Sequence, residues 1–127
     1  MSICQFVATS GAPAAIGPYS QGVQAGSLVL VSGQLGLDPE GSGLAADFAS
    51  QARLALSNCK AILAEAGCGI ENIVSVDVFV TNLGRFQEFN AIYAEFMGEH
   101  RPARAVIEVS ALPLGGLVEV KCMAVKS

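Results

Sequence analysis

The sequence predicts an α+β domain in which two helices cover one face of a sheet, in the order β-β-α-β-α-β-β. Three observations carry this expectation. Residues 47–66 and 82–97 repeat apolar side chains at helical spacing. At least five further segments are rich in β-branched residues and bounded by glycine or proline. The length of 127 residues suits one domain, 1–127, with room for a real hydrophobic core.

Residues 1–18 are uncharged and small, with Gly11, Pro13, Gly17 and Pro18 as breakers, and read as an extended arm ending in a turn. Residues 19–24 and 28–34 read as a hairpin around Ala25-Gly26-Ser27. The run Asp38-Pro39-Glu40-Gly41-Ser42-Gly43 is a turn-rich loop that lacks the lysine and the glycine spacing of a phosphate cradle. Asp47 caps a helix that runs through Ala66 and stops at Gly67. Its buried face holds Phe48, Ala52, Ala55, Leu56, Cys59, Ile62, Leu63 and Ala66, which places Cys59 in packing.

The next strand, Ile73–Val80, sets Val74, Val76, Val78 and Val80 on one face and Ile73, Ser75, Asp77 and Phe79 on the other. Asn82 caps a second helix to about Met97, along which Phe86, Phe89, Tyr93 and Phe96 form a core stripe. His100, the single histidine, reads as a helix C-terminal cap or a surface residue, which leaves no multi-histidine metal site. Residues 101–110 and 117–121 then read as strands paired in a hairpin about Ala111-Leu112-Pro113-Leu114-Gly115-Gly116.

Composition narrows the classes. Charged residues make up 14% and apolar ones 52%, a low charge density for a small monomer, so an oligomer is expected. A net charge of -4 with seven scattered basic residues argues against nucleic-acid partners. No apolar run has the length of a membrane span or a signal-peptide core, so no membrane partner and a cytoplasmic location are expected. The four cysteines show no metal or redox spacing and read as thiols in a reducing compartment.

The proposed last hairpin holds the most suggestive charges. Arg104 opens its first strand and Glu119 lies inside its second, so pairing would bring a guanidinium and a carboxylate toward one rim. Arginine grips a carboxylate bidentately and a glutamate can activate a water, which is the chemistry of a small-acid site. The alternative is a pair of solvated strand-edge charges.

Arg101-Pro102-Ala103-Arg104-Ala105, with residues 106–109, Leu112-Pro113 and Val118-Glu119-Val120, resembles the C-terminal signature of the RidA (YjgF) family of reactive-intermediate deaminases. Ala14-Ala15-Ile16-Gly17-Pro18-Tyr19-Ser20-Gln21-Gly22-Val23 is similar to that family's N-terminal signature. Ser32-Gly33-Gln34, Gln51-Ala52-Arg53 and Asn90-Ala91-Ile92-Tyr93 match in order between them, so the resemblance covers almost the whole chain. It implies a chorismate-mutase-like fold, with one mixed sheet and two helices on one face. It also implies a homotrimer with sheets facing the centre and clefts between subunits.

The activity so implied is hydrolytic deamination of 2-aminoacrylate, 2-iminopropanoate and 2-iminobutanoate to 2-oxo acids and ammonia, with no metal or organic cofactor. Carried over residue by residue, the resemblance makes Arg104 the carboxylate-binding residue and Glu119 the residue that positions the attacking water. Tyr19 becomes the pocket hydroxyl. Ser32, Gly33 and Asn90 line the cleft, and Val106 stands where a cysteine often sits. Arg101 occupies a position where an aromatic is frequent, and Lys121 one where a second glutamate is. Arg101 either admits a second polar group on the substrate or is solvated or bridges subunits. A larger enamine such as 2-aminomuconate, binding of 2-oxo acids without turnover, and a stress-holdase role are the alternative readings. A ribonuclease role lacks support from charge or a histidine pair.

Overall fold

Gly26 adopts φ +61°, the left-handed turn conformation, and so lets Ala25 pair directly with Leu28 across a two-residue loop. This hairpin joins β2 (Gly22–Ala25) to β3 (Leu28–Leu35) in a computed structural model that describes residues 3–127. The chain continues through α1 (Phe48–Glu65), β4 (Ile73–Val80), α2 (Phe86–Met97), β5 (Ala103–Glu108) and β6 (Val118–Val125). A further strand, β1 (Cys4–Val7), pairs with β2. The arm expected over residues 1–18 therefore contains an edge strand, and its first two residues lie outside the described ones. Only Val7 of this four-residue strand is buried, so it shows no alternation in sequence.

The sheet order is β1-β2-β3-β6-β4-β5. Val29 and Val31 of β3, Val118, Val120, Cys122 and Ala124 of β6, and Val76, Val78 and Val80 of β4 are buried in one core with both helices. Residues paired across strands share a face, so this row of small and β-branched side chains defines the helix-covered side. Asp47 caps α1 as expected, its Oδ1 accepting from the Ser50 N–H at 2.8 Å, and Gly67 follows the helix with φ +82°. All eight α1 residues expected inside are buried. The Cys59 thiol is pushed well above its ordinary pKa, first by a hydrogen bond with Cys122 and then by burial, which suits packing rather than chemistry.

Buried amides tie the loops to this frame. Asn58 donates to the carbonyls of Leu35 (3.2 Å) and Leu37 (2.9 Å), fixing the exit of β3. Gln51 accepts from the Leu117 N–H at 2.9 Å and donates to the Ala45 carbonyl at 3.0 Å. Gln21 donates to the carbonyls of Pro13 (2.7 Å) and Ala12 (3.3 Å) and accepts from the Thr9 N–H (2.6 Å), so the arm is held against the sheet.

Further expectations change, beginning with Asn82, which caps a 3-10 turn over Leu83–Arg85 while α2 itself starts at Phe86 with no side-chain cap. β5 and β6 form no hairpin, because β4 lies between them: β5 pairs parallel with β4, and β6 pairs antiparallel with both β3 and β4. Parallel neighbours need a crossover, and α2 supplies it. In β4 an irregularity between Ile73 and Ser75 turns Ile73 into the core and leaves Val74 exposed, reversing their expected faces. His100 is not simply a surface cap, since its Nε2 lies 2.7 Å from the Ile73 carbonyl and ties the exit of α2 to the start of β4.

Among the described residues nothing covers the other sheet face. Phe6, Val23, Leu30 and Met123 lie in register across it, and Phe79 with Ile107 continues the apolar surface. Phe6 is 79% exposed.

Candidate active site

Glu119 lies between Val118 and Val120, whose side chains enter the core, so the alternation of β6 sends its carboxylate to the open face. The neighbouring strand β3 is irregular between Val31 and Gln34, and this brings Gly33 against that carboxylate. A Cβ at Gly33 would stand 2.3 Å from Glu119 Oε1, so a side chain there would displace the carboxylate from this seat. Burial raises the Glu119 pKa above its ordinary value of 4.5.

A cleft of 580 Å³ opens beside Glu119, with Tyr19, Gly33, Leu35, Leu114 and Ile16 among its walls. Tyr19 is 53% exposed there. Ser32 fixes the tyrosine's segment, its Oγ donating to the Ser20 carbonyl at 2.5 Å and its N–H to the Gln21 carbonyl at 2.9 Å. Leu114, at the rim, holds φ +61°, a conformation that disfavours any residue with a Cβ.

Arg104 belongs to a second group. It pairs in register with Val76, so it shares the helix-covered face, and β5 is the edge strand there. Its guanidinium carbon lies 4.7 Å from the centroid of the Tyr93 ring and 5.8 Å from that of Phe86, both on α2. Among the described residues its side chain makes no hydrogen bond, and the one ion pair joins Arg85 and Glu88 instead. Asn90 lies on the same face of α2 as Tyr93 and Phe86. The Asn90 Oδ1 and the Tyr93 hydroxyl are both buried without a hydrogen-bond partner among the described residues. Val106, two residues beyond Arg104, pairs with Val78 and packs against the core.

The residues singled out in sequence thus form two clusters. Tyr19, Gly33 and Glu119 meet at the cleft, with Ser32 behind them bonded to the Ser20 carbonyl rather than lining it, whereas Asn90, Arg104 and Val106 lie where β5 borders α2. Glu119 pairs with Phe79 and Arg104 with Val76, positions of opposite parity on β4, so their side chains leave opposite faces of the sheet. The shared rim expected of a hairpin does not exist within one chain.

Arg101 is exposed and engaged at one end of its guanidinium. Its Nη1 donates to the carbonyls of Gly98 (2.5 Å) and His100 (2.9 Å), satisfying the C-terminal end of α2. Lys121 pairs with Asp77 on the open face, two residues from Glu119. Tyr93 was legible only as one aromatic in a core stripe; its spacing from Asn90 places both on one helix face but does not reveal the arginine above the ring. Among the described residues no cluster of His, Cys, Asp and Glu could hold a metal ion, and no helix is long and apolar enough to cross a membrane.

Comparison with known proteins gives the family. The family model described as Endoribonuclease L-PSP matches residues 9–126. A protein of Salmonella typhimurium named 2-iminobutanoate/2-iminopropanoate deaminase is 46% identical over 123 residues, 94% of this chain and 96% of that protein. The crystal structure of the YjgF gene product of Escherichia coli superimposes with a TM-score of 0.93 at 43% identity, covering 97% of this chain and 99% of that one. Escherichia coli TdcF, solved with bound serine, gives a TM-score of 0.93 at 40% identity, covering 97% and 99% of the two chains. With a matching family model over nearly all its length and relatives of this similarity, the chain belongs to the Endoribonuclease L-PSP family, which includes the RidA and YjgF proteins.

Proposed function

We propose that this protein hydrolyses small 2-imino acids, and the enamines in equilibrium with them, to 2-oxo acids and ammonia. The observation that carries the reading is the Arg104 guanidinium, held on two aromatic rings with no acidic partner among the described residues. Such a group is a receptor for a carboxylate, which it can take bidentately for about 1.5–3 kcal/mol. The deaminase name of the Salmonella relative supports the same chemistry.

Glu119 supplies the proton transfers. As a carboxylate it takes a proton from water while the oxygen attacks the imine carbon and the C=N electron pair moves to nitrogen. Glu119 returns that proton to nitrogen, giving the neutral carbinolamine; it then takes the hydroxyl proton and passes it to the amine nitrogen, so the C–N bond breaks, ammonia leaves and the carbon–oxygen double bond forms. A pKa raised by burial brings the group closer to neutrality, where one residue serves as both base and acid. The imine is already electrophilic, so positioning and proton transfer suffice.

Arg104 and Glu119 reach one substrate only if they come from different copies. The β5 edge of one copy, with Asn90, Arg104 and Val106, would lie against the open sheet face of a second, beside Tyr19, Ser32, Gly33 and Glu119. The apolar row of that face, with Phe6, Leu30 and Ile107 exposed and Phe79 half-buried, supports such a contact, and the family resemblance implies the closed form, a homotrimer.

The test generates 2-aminoacrylate from serine with a dehydratase and follows pyruvate and ammonia. Wild type should accelerate their release, and Arg104→Ala should match the rate without added protein. No acceleration by wild type would point to a larger enamine or to binding without turnover.

A further inference from the structure

A guanidinium on an edge strand has many rotamers, and each binding event must select one of them unless the protein has already done so. The Arg104 side chain has no hydrogen bond or ion pair among the described residues to make that selection. What it has is the face of Tyr93, at 4.7 Å from ring centroid to guanidinium carbon, and the more distant ring of Phe86. Of these two, Phe86 is 39% exposed and Tyr93 only 7%, so Tyr93 is the fixed wall. Phe89, fully buried, packs beside it in the core at a centroid separation of 5.8 Å.

We propose that Tyr93 is the positioning residue of the carboxylate receptor: its ring face orients the Arg104 guanidinium and leaves the N–H edge free for the substrate. This inference rests on the deaminase reading of the site. A ring attracts a cation through its face, whereas the five N–H donors of arginine lie in the guanidinium plane. Contact with the face therefore holds the group without using the donors that a carboxylate needs. The Tyr93 hydroxyl agrees with a role for the ring, because it is buried and has no hydrogen-bond partner among the described residues. Such a hydroxyl does not anchor the side chain, so removing it should cost the site little.

The experiment measures the Kd for 2-oxobutanoate by calorimetry, together with kcat and KM for 2-iminobutanoate hydrolysis. It compares wild type with Tyr93→Phe, Tyr93→Leu, Arg104→Ala and the neighbouring core variant Phe89→Leu. Tyr93→Phe keeps the ring and should stay within about twofold of wild type in Kd and KM. Tyr93→Leu should raise both roughly tenfold while kcat changes less than about threefold. Phe89→Leu should lower Tm with Kd unchanged, separating orientation from packing. If Tyr93→Leu does not fold, Tyr93→Met carries the same expectation.

Wild-type Kd in Tyr93→Leu, an equal loss in Tyr93→Phe, or an equal loss in Phe89→Leu would each overturn the role of the ring. When wild type binds the acid and Arg104→Ala does not, such a result removes the Tyr93 inference alone. If wild type neither binds the acid nor speeds hydrolysis, the deaminase reading falls and the inference with it.

Discussion

Gly33 gives Glu119 its place: the carboxylate occupies the space that a side chain on residue 33 would take, with Oε1 2.3 Å from the position of the missing Cβ. Gly33→Ala must push the carboxylate away from its seat beside the cleft. The variant should lose about 10²-fold in kcat, near the lower end of general acid–base contributions, with little loss of stability, because the flexible end of the Glu119 side chain can swing away. Steady-state kinetics and a urea titration check both effects.

Glu119→Gln keeps the shape and removes the proton transfer. It should lower kcat by about 10²–10⁴-fold while binding of 2-oxobutanoate changes little. The same variant reports on stability. Burial raises the folded-state pKa of Glu119 above its ordinary value of 4.5, so between the two values the folded state holds more protons than the unfolded one. Stability from this group is complete below the ordinary value and is lost as pH rises through the folded one. Glu119→Gln removes that loss, so at about pH 7 it should be more stable than wild type, and the difference should close by about pH 4. Denaturation at the two pH values gives the comparison.

Arg101→Ala should leave the ranking of imino-acid substrates unchanged, because Arg101 is engaged with the carbonyls of Gly98 and His100. Its cost should appear in stability, at about 0.5–1 kcal/mol for a cation at a helix C-terminus. A changed ratio of kcat/KM between a short imino acid and a dicarboxylic one would return Arg101 to the pocket.

Leu30→Glu places a charge in the apolar row of the open sheet face, opposite Val23 and Met123. Sedimentation should show the wild type as an oligomer and the variant as a folded monomer, with imine hydrolysis lost. A wild type that sediments as a monomer at micromolar concentration would remove the shared-site account.

What the sequence disclosed follows the range of each interaction. α1 was legible to the residue, because its cap at Asp47, its stop at Gly67 and its apolar period are all local signals. The β2–β3 hairpin was legible for the same reason, through Gly26. The pairing of β6 was not, since alternation shows that a strand exists but not which strand lies beside it. That single uncertainty misplaced the site: Arg104 and Glu119 were found by residue type and resemblance, yet a hairpin would have set them on one rim. With β4 inserted between β5 and β6, register sends them to opposite faces. Tyr93 stayed hidden because a ring that only packs and a ring that also holds a cation have the same helical period.

The central claim is that one catalytic site takes Arg104 from one copy and Glu119 from another, and mixing tests it most directly. Arg104→Ala and Glu119→Gln, each inactive alone, are unfolded together, refolded as a mixture and assayed for imine hydrolysis. In a cyclic oligomer with random assembly, about one site in four joins an intact Arg104 to an intact Glu119, so activity should return to about a quarter of wild type. A mixture as inactive as its parts, with mixed assembly verified by mass spectrometry, would contradict the account.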